Sequence, residues 1–155
     1  MMTQFDTVAM GGTFDIIHAG HIALLNKSFS ISSNVIIGLS SDQLAVKRGK
    51  NLANDYSKRL SSLKGLIEKN FPNSSYEISK LENDFGPAVI EGSVRALIVS
   101  EETSSKGVKL NELRAERNLP PVEIVIVPMV LAKDGKAISS TRIKNSEIDS
   151  SGNLN

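Results

Sequence analysis

The sequence of 155 residues contains no cysteine. This absence excludes a disulfide-stabilised scaffold, a zinc site with cysteine ligands and catalysis by a thiol nucleophile. Aromatic residues make up only 5% of the chain, which argues against a surface that stacks on a large planar ring or on a series of nucleobases. The function must therefore be sought among polar, charged and glycine-containing motifs.

Neither sign of charge dominates, and long hydrophobic runs are missing. Lys and Arg number 18 against 17 Asp and Glu, a net charge of +1, which excludes a protein that binds polyanions through bulk charge. No apolar run approaches the roughly 18 residues of a membrane helix, and the first residues lack the basic and apolar regions of a secretory signal. We expect a soluble, cytoplasmic protein that binds neither membrane nor nucleic acid.

Apolar runs typical of buried strands alternate with amphipathic stretches typical of helices. The predicted strands cover residues 5–10, 34–40, 74–79, 95–100 and 122–127. The predicted helices cover residues 20–29, 56–71 and 109–118. This order predicts one α/β domain over residues 1–145, with a Rossmann-like, doubly wound fold and a parallel five-stranded sheet. Residues 146–155 are small and polar, and we expect a poorly ordered tail or a last short helix that frays.

The first strand runs into the string GGTFDIIHAGH, residues 11–21, at the carboxyl end of the strand where such folds bind ligands. Gly11 and Gly12 let backbone N–H groups approach a ligand, and the positive end of the following helix favours an anion. His18 and His21 are the only two histidines and would share one helix face. Taken alone, the string is also compatible with a tight turn and structural histidines, or with a metal site of two histidines.

A second motif, AISSTRIKNSEID, covers residues 137–149. Ser139 is a good N-cap for a short helix that begins at Ser140. Free N–H groups, hydroxyls and the guanidinium of Arg142 would then converge on a volume the size of a phosphate, which arginine binds with two parallel hydrogen bonds. For this segment alone, the alternative is an ordinary capped helix with an arginine on the surface.

Together the two motifs resemble the HxGH and ISSTxxR signatures of a nucleotidyltransferase superfamily, and the resemblance extends from Val8 to about Gly152. Within that superfamily, the strings LAKDGKAISSTRIKNSEIDSSGN and VSEETSSKG, with the histidine at position 18, are similar to phosphopantetheine adenylyltransferases of the archaeal and eukaryotic type. One departure is Lys144, where the family pattern usually has arginine. Lysine keeps the charge but lacks the planar fork.

The resemblance implies a fold of the nucleotidyltransferase type and an enzyme of coenzyme A biosynthesis. Such an enzyme transfers an adenylyl group from ATP to 4'-phosphopantetheine and releases pyrophosphate, with Mg²⁺ accompanying ATP and no resident metal site. The resemblance assigns catalysis to His21, His18 and Lys47, and the acceptor phosphate to Thr13 and Lys47. It assigns ATP binding to Gly12, Thr13, Phe14, His18, His21, Ser100, Glu101, Ser139, Ser140, Thr141 and Arg142.

Other functions stay open at this point. The acceptor could instead be flavin mononucleotide, nicotinamide mononucleotide or, with CTP, glycerol phosphate; a cytidylyltransferase usually has an RTxGISTT-like string, so AISSTRIK favours adenylyl transfer. A nucleotide-binding module without turnover is the alternative from another class, although the charged residues of both signatures are intact. The basic segment 45–59 is short and poor in aromatics, which argues against nucleic-acid binding. The oligomeric state does not follow from the sequence.

Overall fold

The computed structural model describes residues 4–86, 89–90 and 92–155. Within them, the strands are β1 Phe5–Gly12, β2 Ser32–Ser40, β3 Tyr76–Leu81, β4 Ala96–Ser100 and β5 Glu123–Val127. The helices are α1 Ala19–Ile31, α2 Asp42–Lys47, α3 Tyr56–Asn70, α4 Ser105–Glu116 and α5 Ser140–Lys144. A 3-10 turn, Glu101–Thr103, joins β4 to α4. No helix of this described part is long and apolar enough to cross a membrane.

The strands form one five-stranded sheet in the order β3-β2-β1-β4-β5, and every neighbouring pair is parallel. The predicted doubly wound α/β fold is thereby confirmed. The chain builds outward from β1 to β3, then returns to place β4 on the other side of β1. Because the direction of winding changes between β1 and β4, the crevice at their carboxyl ends is the expected place for a ligand.

Helices cover both faces of the sheet. Successive residues of a strand point to opposite sides, so each central strand contributes to both apolar layers. Val8 of β1 belongs to one apolar cluster with Leu25 of α1 and Leu63 of α3. Its neighbour Ala9 belongs to a second cluster with Leu110 of α4. Burial on both sides explains why the central strands read as continuous apolar runs rather than as alternating patterns.

The bounds of α4 differ from the prediction of residues 109–118. The helix begins at Ser105 and ends at Glu116, and its first turn is hidden in the sequence because serine and glycine are weak helix formers. Gly107 is needed there for packing: a Cβ atom at this position would lie 2.6 Å from the side chain of Ile124 in β5. The glycine therefore allows the helix to approach the sheet closely.

Residues 146–155 pack against the domain, which corrects the expectation of a poorly ordered or fraying tail. Ile148 is 1% exposed and belongs to an apolar cluster with Ile138. The carbonyl of Ser150 accepts the backbone N–H of Ala19, the first residue of α1, at 3.0 Å. The composition conceals this order because the segment is held by one isoleucine and by backbone hydrogen bonds, neither of which produces a hydrophobic pattern.

Candidate active site

A cleft of about 740 Å³ opens where β1 and β4 end, at the switch point of the sheet. Its walls include the loop after β1, the histidine pair, residues 48–52, the end of β4 and the start of α5. The residues assigned from the sequence that line it are Gly12, Thr13, Phe14, His18, His21, Ser100, Ser139, Ser140 and Thr141. Lys47, Glu101 and Arg142, which the structure also describes, are not among its lining residues.

Phe14 shapes the loop between β1 and α1. Its φ angle of +51° lies in the left-handed region that aromatic residues rarely adopt, and its side chain is buried. The Phe14 and His21 rings lie 4.7 Å apart between centroids. A Cβ atom on Gly12 would lie 3.0 Å from the Phe14 ring, so glycine leaves the space that this ring occupies. Burial of Phe14 thus holds a strained backbone and supports one side of His21.

His18 and His21 cap the N-terminus of α1 through their Nδ1 atoms. Nδ1 of His18 accepts the N–H of Gly20 at 3.1 Å, and Nδ1 of His21 accepts the N–H of His18 at 3.2 Å. The two rings stack with centroids 3.9 Å apart. Because each Nδ1 is an acceptor, each neutral ring carries its proton on Nε2. A Cβ atom on Gly20 would lie 2.9 Å from the His18 ring, which explains the glycine between the histidines.

Both histidines are neutral at physiological pH. Burial lowers the pKa of His18 from 6.5 to about 4. Burial, followed by the charges of His18 and Lys50, lowers the pKa of His21 to about 3. The pair can therefore offer two Nε2–H donors in the cleft, an arrangement that stabilises negative charge as it develops on a reacting group.

Asp15 joins three segments around the cleft. Its carboxylate accepts the N–H groups of Ala53 and Asn54, each at 2.9 Å. It also pairs with the ammonium of Lys144 in α5 at 2.5 Å. Burial opposes the charged form, but these donors outweigh burial and keep the pKa of Asp15 below 3.8. The carboxylate is thus engaged within the protein, and its role is to hold the loop after α2 and the end of α5 together.

The second motif forms the predicted capped helix. Oγ of Ser139 accepts the N–H of Arg142 at 3.2 Å, and α5 begins at Ser140. The hydroxyl of Ser140 donates to the carbonyl of Ile16 at 3.0 Å and accepts the N–H of Ile16 at 3.3 Å. These two bonds join segments that lie 124 residues apart in the chain, so the two motifs form one structural unit.

Lys144, and not Arg142, is the basic residue of the second motif that lines the cleft. The guanidinium of Arg142 pairs instead with Asp134 and Glu147. Lys144 donates to the carbonyl of Asn51 across the cleft wall. The structure therefore places Arg142 outside the lining of the cleft, where two carboxylates compensate its charge, and its assignment to phosphate stays a prediction. The ISSTxxR pattern itself pointed to position 144, because its closing arginine falls on that position.

Lys47 and Glu101 also lie outside the lining of the cleft. Lys47 is exposed on α2 and lines an adjoining pocket of about 400 Å³, which shares Arg48, Asp84 and Phe85 with the cleft. The loop that follows α2 brings Lys50 into the cleft instead. The Glu101 carboxylate accepts the N–H of Met129 at 2.9 Å, while the neighbouring Glu102 lines the cleft. In both cases, a turn of the backbone brings a charged residue that is near in sequence to the lining of the cleft.

Arg59 of α3 organises the ends of β1 and β2, although no motif includes it. Its side chain is fully buried. Its guanidinium donates to the carbonyls of Thr13 and Ser40 at 2.9 and 2.8 Å and pairs with Asp42 at 2.6 Å. Buried carbonyls need a donor, and one arginine supplies it for both strand ends. The sequence does not signal this role, because the main partners are backbone atoms of distant segments.

A group of positive charges lines another part of the cleft, where Arg48, Lys50 and Lys106 occur together with Asp84. Asp84 pairs with Arg48 at 2.7 Å and with Lys109 at 2.8 Å. The hydrogen bonds from Lys109 and Arg48 lower the pKa of Asp84 to about 2. Lys106 stands within the string VSEETSSKG but was not predicted as a site residue, because the fold alone brings α4 next to the loop after α2.

The doubly wound parallel sheet has its cleft at the switch point, and together with the family match it places this chain in the cytidylyltransferase-like class of nucleotidyltransferases. A model of the cytidylyltransferase-like family matches residues 9–146. A protein with unknown function from Archaeoglobus fulgidus has a similar structure, with a TM-score of 0.72 and 28% identity over 78% of this chain and 88% of that chain. The tyrosyl-tRNA synthetase of that organism shares the fold alone, with a TM-score of 0.64 and 11% identity over 89% of this chain and 59% of that chain.

The chain belongs to the phosphopantetheine adenylyltransferase family, as similar archaeal proteins show. The phosphopantetheine adenylyltransferase of Methanosarcina barkeri is 43% identical over 95% of this chain and 91% of its own length. That of Methanosarcina mazei is 42% identical over 95% of this chain and 96% of its own length. That of Methanopyrus kandleri is 34% identical over 96% of this chain and 94% of its own length. The resemblance inferred from the two motifs is thereby confirmed.

Proposed function

We propose that this chain transfers the adenylyl group of ATP to 4'-phosphopantetheine, with dephospho-coenzyme A and pyrophosphate as products. The similar archaeal proteins carry this activity in their names. Within the chain itself, the observation that carries the proposal is the stacked histidine pair, whose Nδ1 atoms are occupied by backbone N–H groups. Two neutral Nε2–H donors at the switch point suit a reaction in which negative charge grows on a phosphate.

In this reaction, an oxygen of the acceptor phosphate attacks the α-phosphorus of ATP. A new P–O bond forms there while the bond from the α-phosphorus to the α,β-bridging oxygen breaks, and its electron pair leaves with pyrophosphate. The acceptor phosphate is already an anion at neutral pH, so no general base is needed to create the nucleophile. The protein's contribution is to bring two anions together and to stabilise the transition state electrostatically.

We assign the central steps to the first motif. His21 donates to the α-phosphate as charge grows, and His18 contacts the triphosphate beside it. The backbone of residues 12–14 and the hydroxyl of Thr13 bring the acceptor phosphate and ATP together. Arg59 acts as a positioning residue, because its guanidinium holds the carbonyl of Thr13 from below the cleft wall.

We assign the departing pyrophosphate to the second motif. Ser139 and Thr141 line the cleft at the start of α5, and Lys144 supplies the positive charge that the sequence pattern assigned to Arg142. Lys144 is held between the Asp15 carboxylate and a backbone carbonyl, so its charge is in place before a nucleotide arrives. Ser100, at the end of β4, is assigned to the adenosine side of the cleft.

Magnesium would enter this cleft with the polyphosphate. Among the described residues, no group of three or more His, Asp or Glu is arranged to hold a metal ion. The Asp15 carboxylate is engaged by Lys144 and two backbone N–H groups. A site without a free carboxylate cluster among the described residues suits an ion that is held mainly by phosphate oxygens and water, and not by a cage of protein ligands. When bound, the ion would neutralise part of the polyphosphate charge.

The test is release of pyrophosphate by the purified protein with ATP and magnesium. The acceptors to compare are 4'-phosphopantetheine, flavin mononucleotide, nicotinamide mononucleotide and glycerol phosphate, each repeated with CTP. Release with ATP and 4'-phosphopantetheine alone is the expected result. Release with another pair would retain the mechanism and replace the acceptor. No release with any pair, in a protein that binds ATP, would contradict the proposal and favour a nucleotide-binding module.

A further inference from the structure

We propose that Lys106 of α4, together with Lys50, binds the phosphate group of the acceptor substrate. The inference rests on the proposed function and adds to it a residue that lies outside both motifs. It is an alternative to Lys47, to which the family resemblance assigned this phosphate and which lines the adjoining pocket and not the cleft.

The charge of Lys106 is poorly compensated by the protein. Lys106 lines the cleft and is half-buried, and among the described residues its ammonium makes no hydrogen bond or ion pair. Burial, followed by the charge of Arg48, lowers its pKa. The residue also lies in the first turn of α4, where the helix dipole disfavours a cation.

The carboxylate of Asp84 does not compensate the positive charge of Lys106. Asp84 is the acidic group that favours the charged form of Lys106, but it already pairs with Arg48 and Lys109. Lys50 adds a further positive charge to the same surroundings. Several cations that share one carboxylate in a half-buried site repel one another, and a bound anion would relieve that repulsion. A phosphate monoester carries nearly two negative charges near neutral pH, so it suits this site.

The position of the site favours the acceptor over ATP. The charge of Lys50 acts on both His21 and Lys106, so Lys50 connects this group of cations to the histidine pair. Lys144 and the second motif approach the cleft from α5 and are assigned to the departing pyrophosphate. The reaction needs a second anion on the other side of the α-phosphate. Phe85, next to Asp84 in the chain, also lines the cleft and offers apolar surface for the uncharged arm of the acceptor.

The experiment compares Lys106→Gln with the wild-type protein on two ligands that differ only by the phosphate, 4'-phosphopantetheine and pantetheine. Calorimetry gives the affinity for each ligand, and steady-state kinetics give KM for ATP and for 4'-phosphopantetheine. We expect Lys106→Gln to weaken binding of 4'-phosphopantetheine by about 10-fold to 100-fold, as for loss of a charge-assisted hydrogen bond. Binding of pantetheine and KM for ATP should change by less than about twofold. Lys106→Arg should retain most of the affinity.

Lys109→Gln is the matched control, because Lys109 lies on the same helix and shares Asp84 but does not line the cleft. It should leave the preference for the phosphorylated ligand unchanged. If Lys106→Gln fails to fold by circular dichroism, Lys50→Gln in the exposed loop replaces it, with the same expected loss of preference.

Three results would overturn the inference. One is an equal loss of affinity for both ligands in Lys106→Gln, which would indicate a structural role. Another is a rise in KM for ATP with unchanged acceptor binding, which assigns the site to the nucleotide. The third is loss of the phosphate preference in Lys47→Gln but not in Lys106→Gln. A wild-type protein that binds both ligands without turnover would contradict the proposed function alone, so the two failures are distinguishable.

Discussion

Nδ1 of His21 accepts the backbone N–H of His18 at 3.2 Å, so one histidine of the HxGH motif holds the other. The bond gives His21 the position in a capping box that Glu or Gln usually occupies. It also keeps the ring proton on Nε2, away from the helix. In the proposed mechanism the two nitrogens of His21 have separate roles, Nδ1 in capping the helix and Nε2 in chemistry, and substitutions can test them separately.

Replacing His21 by alanine should lower turnover by about 100-fold to 1000-fold, as for loss of one donor to developing charge. It should also lower the free energy of unfolding by about 1 kcal/mol, because the cap is lost. His21→Gln restores an acceptor for the backbone N–H but not an imidazole, so it should recover stability without recovering turnover. Steady-state kinetics and urea denaturation of both variants test this. Turnover of His21→Ala within about tenfold of wild type would contradict the catalytic role.

The free energy of unfolding should fall as pH decreases from about 6.5 to about 4. Unfolded histidines bind protons near pH 6.5, whereas His18 and His21 in the folded protein bind them only near pH 4 and 3. Between these values the unfolded state takes up more protons, so acidification favours it; above pH 6.5 both states are neutral and the contribution is constant. Urea denaturation at steps from pH 8 to pH 4 measures the slope.

His18→Asn is the control for this pH dependence, because asparagine is a good N-cap that does not titrate. The slope should be smaller in this variant. The salt-bridged Asp84 cannot produce the same effect, since its pKa is lowered from 3.8 to about 2 and its contribution is lost only at still lower pH. Equal slopes in the two proteins would contradict the prediction.

Substitution of Lys144 should affect nucleotide binding, whereas substitution of Arg142 should affect stability. Lys144→Gln removes a cleft charge and should raise KM for ATP about tenfold or more. Arg142→Gln breaks ion pairs with Asp134 and Glu147 outside the cleft, and should lower the free energy of unfolding slightly while changing KM for ATP by less than about twofold. Kinetics and urea denaturation of both variants measure these effects. The reverse pattern would return the phosphate role to Arg142.

Arg59→Lys should lower the free energy of unfolding by at least about 2 kcal/mol. The guanidinium bonds the carbonyls of Thr13 and Ser40 through Nη1 while its other nitrogens bond Asn54 and Asp42. A lysine ammonium has one nitrogen and cannot make all these bonds at once, and an unpaired buried carbonyl costs about 1–3 kcal/mol. Asp42→Asn is the matched control: it removes the half-exposed partner charge but keeps an oxygen acceptor and all the bonds to the backbone carbonyls, so it should cost less than Arg59→Lys. Urea denaturation compares them, and equal losses would show that the ion pair, not the carbonyls, carries the effect.

The sequence predicted the parts of the molecule that depend on local patterns. Buried apolar runs predicted the strands, and Ser139 predicted the start of α5 because a cap depends on residues three positions apart. The sequence could not predict the placement of side chains that depends on a turn or on a distant partner. Arg142 pairs with Asp134 and Glu147, and the turn after α2 brings Lys50 rather than Lys47 to the lining of the cleft.

The hydrogen bonds between Ser140 and Ile16 set the order in which activity and structure should be lost. They span 124 residues, whereas each helix and each neighbouring strand pair of the sheet is made from contacts that are nearer in sequence. Contacts between distant residues bear the largest loop-closure entropy, and regions with few buried apolar contacts open before the core does. Under mild denaturation we therefore expect α5 to detach while the sheet persists, so the protein would lose its catalysis at denaturant concentrations where its helical circular dichroism is still nearly complete.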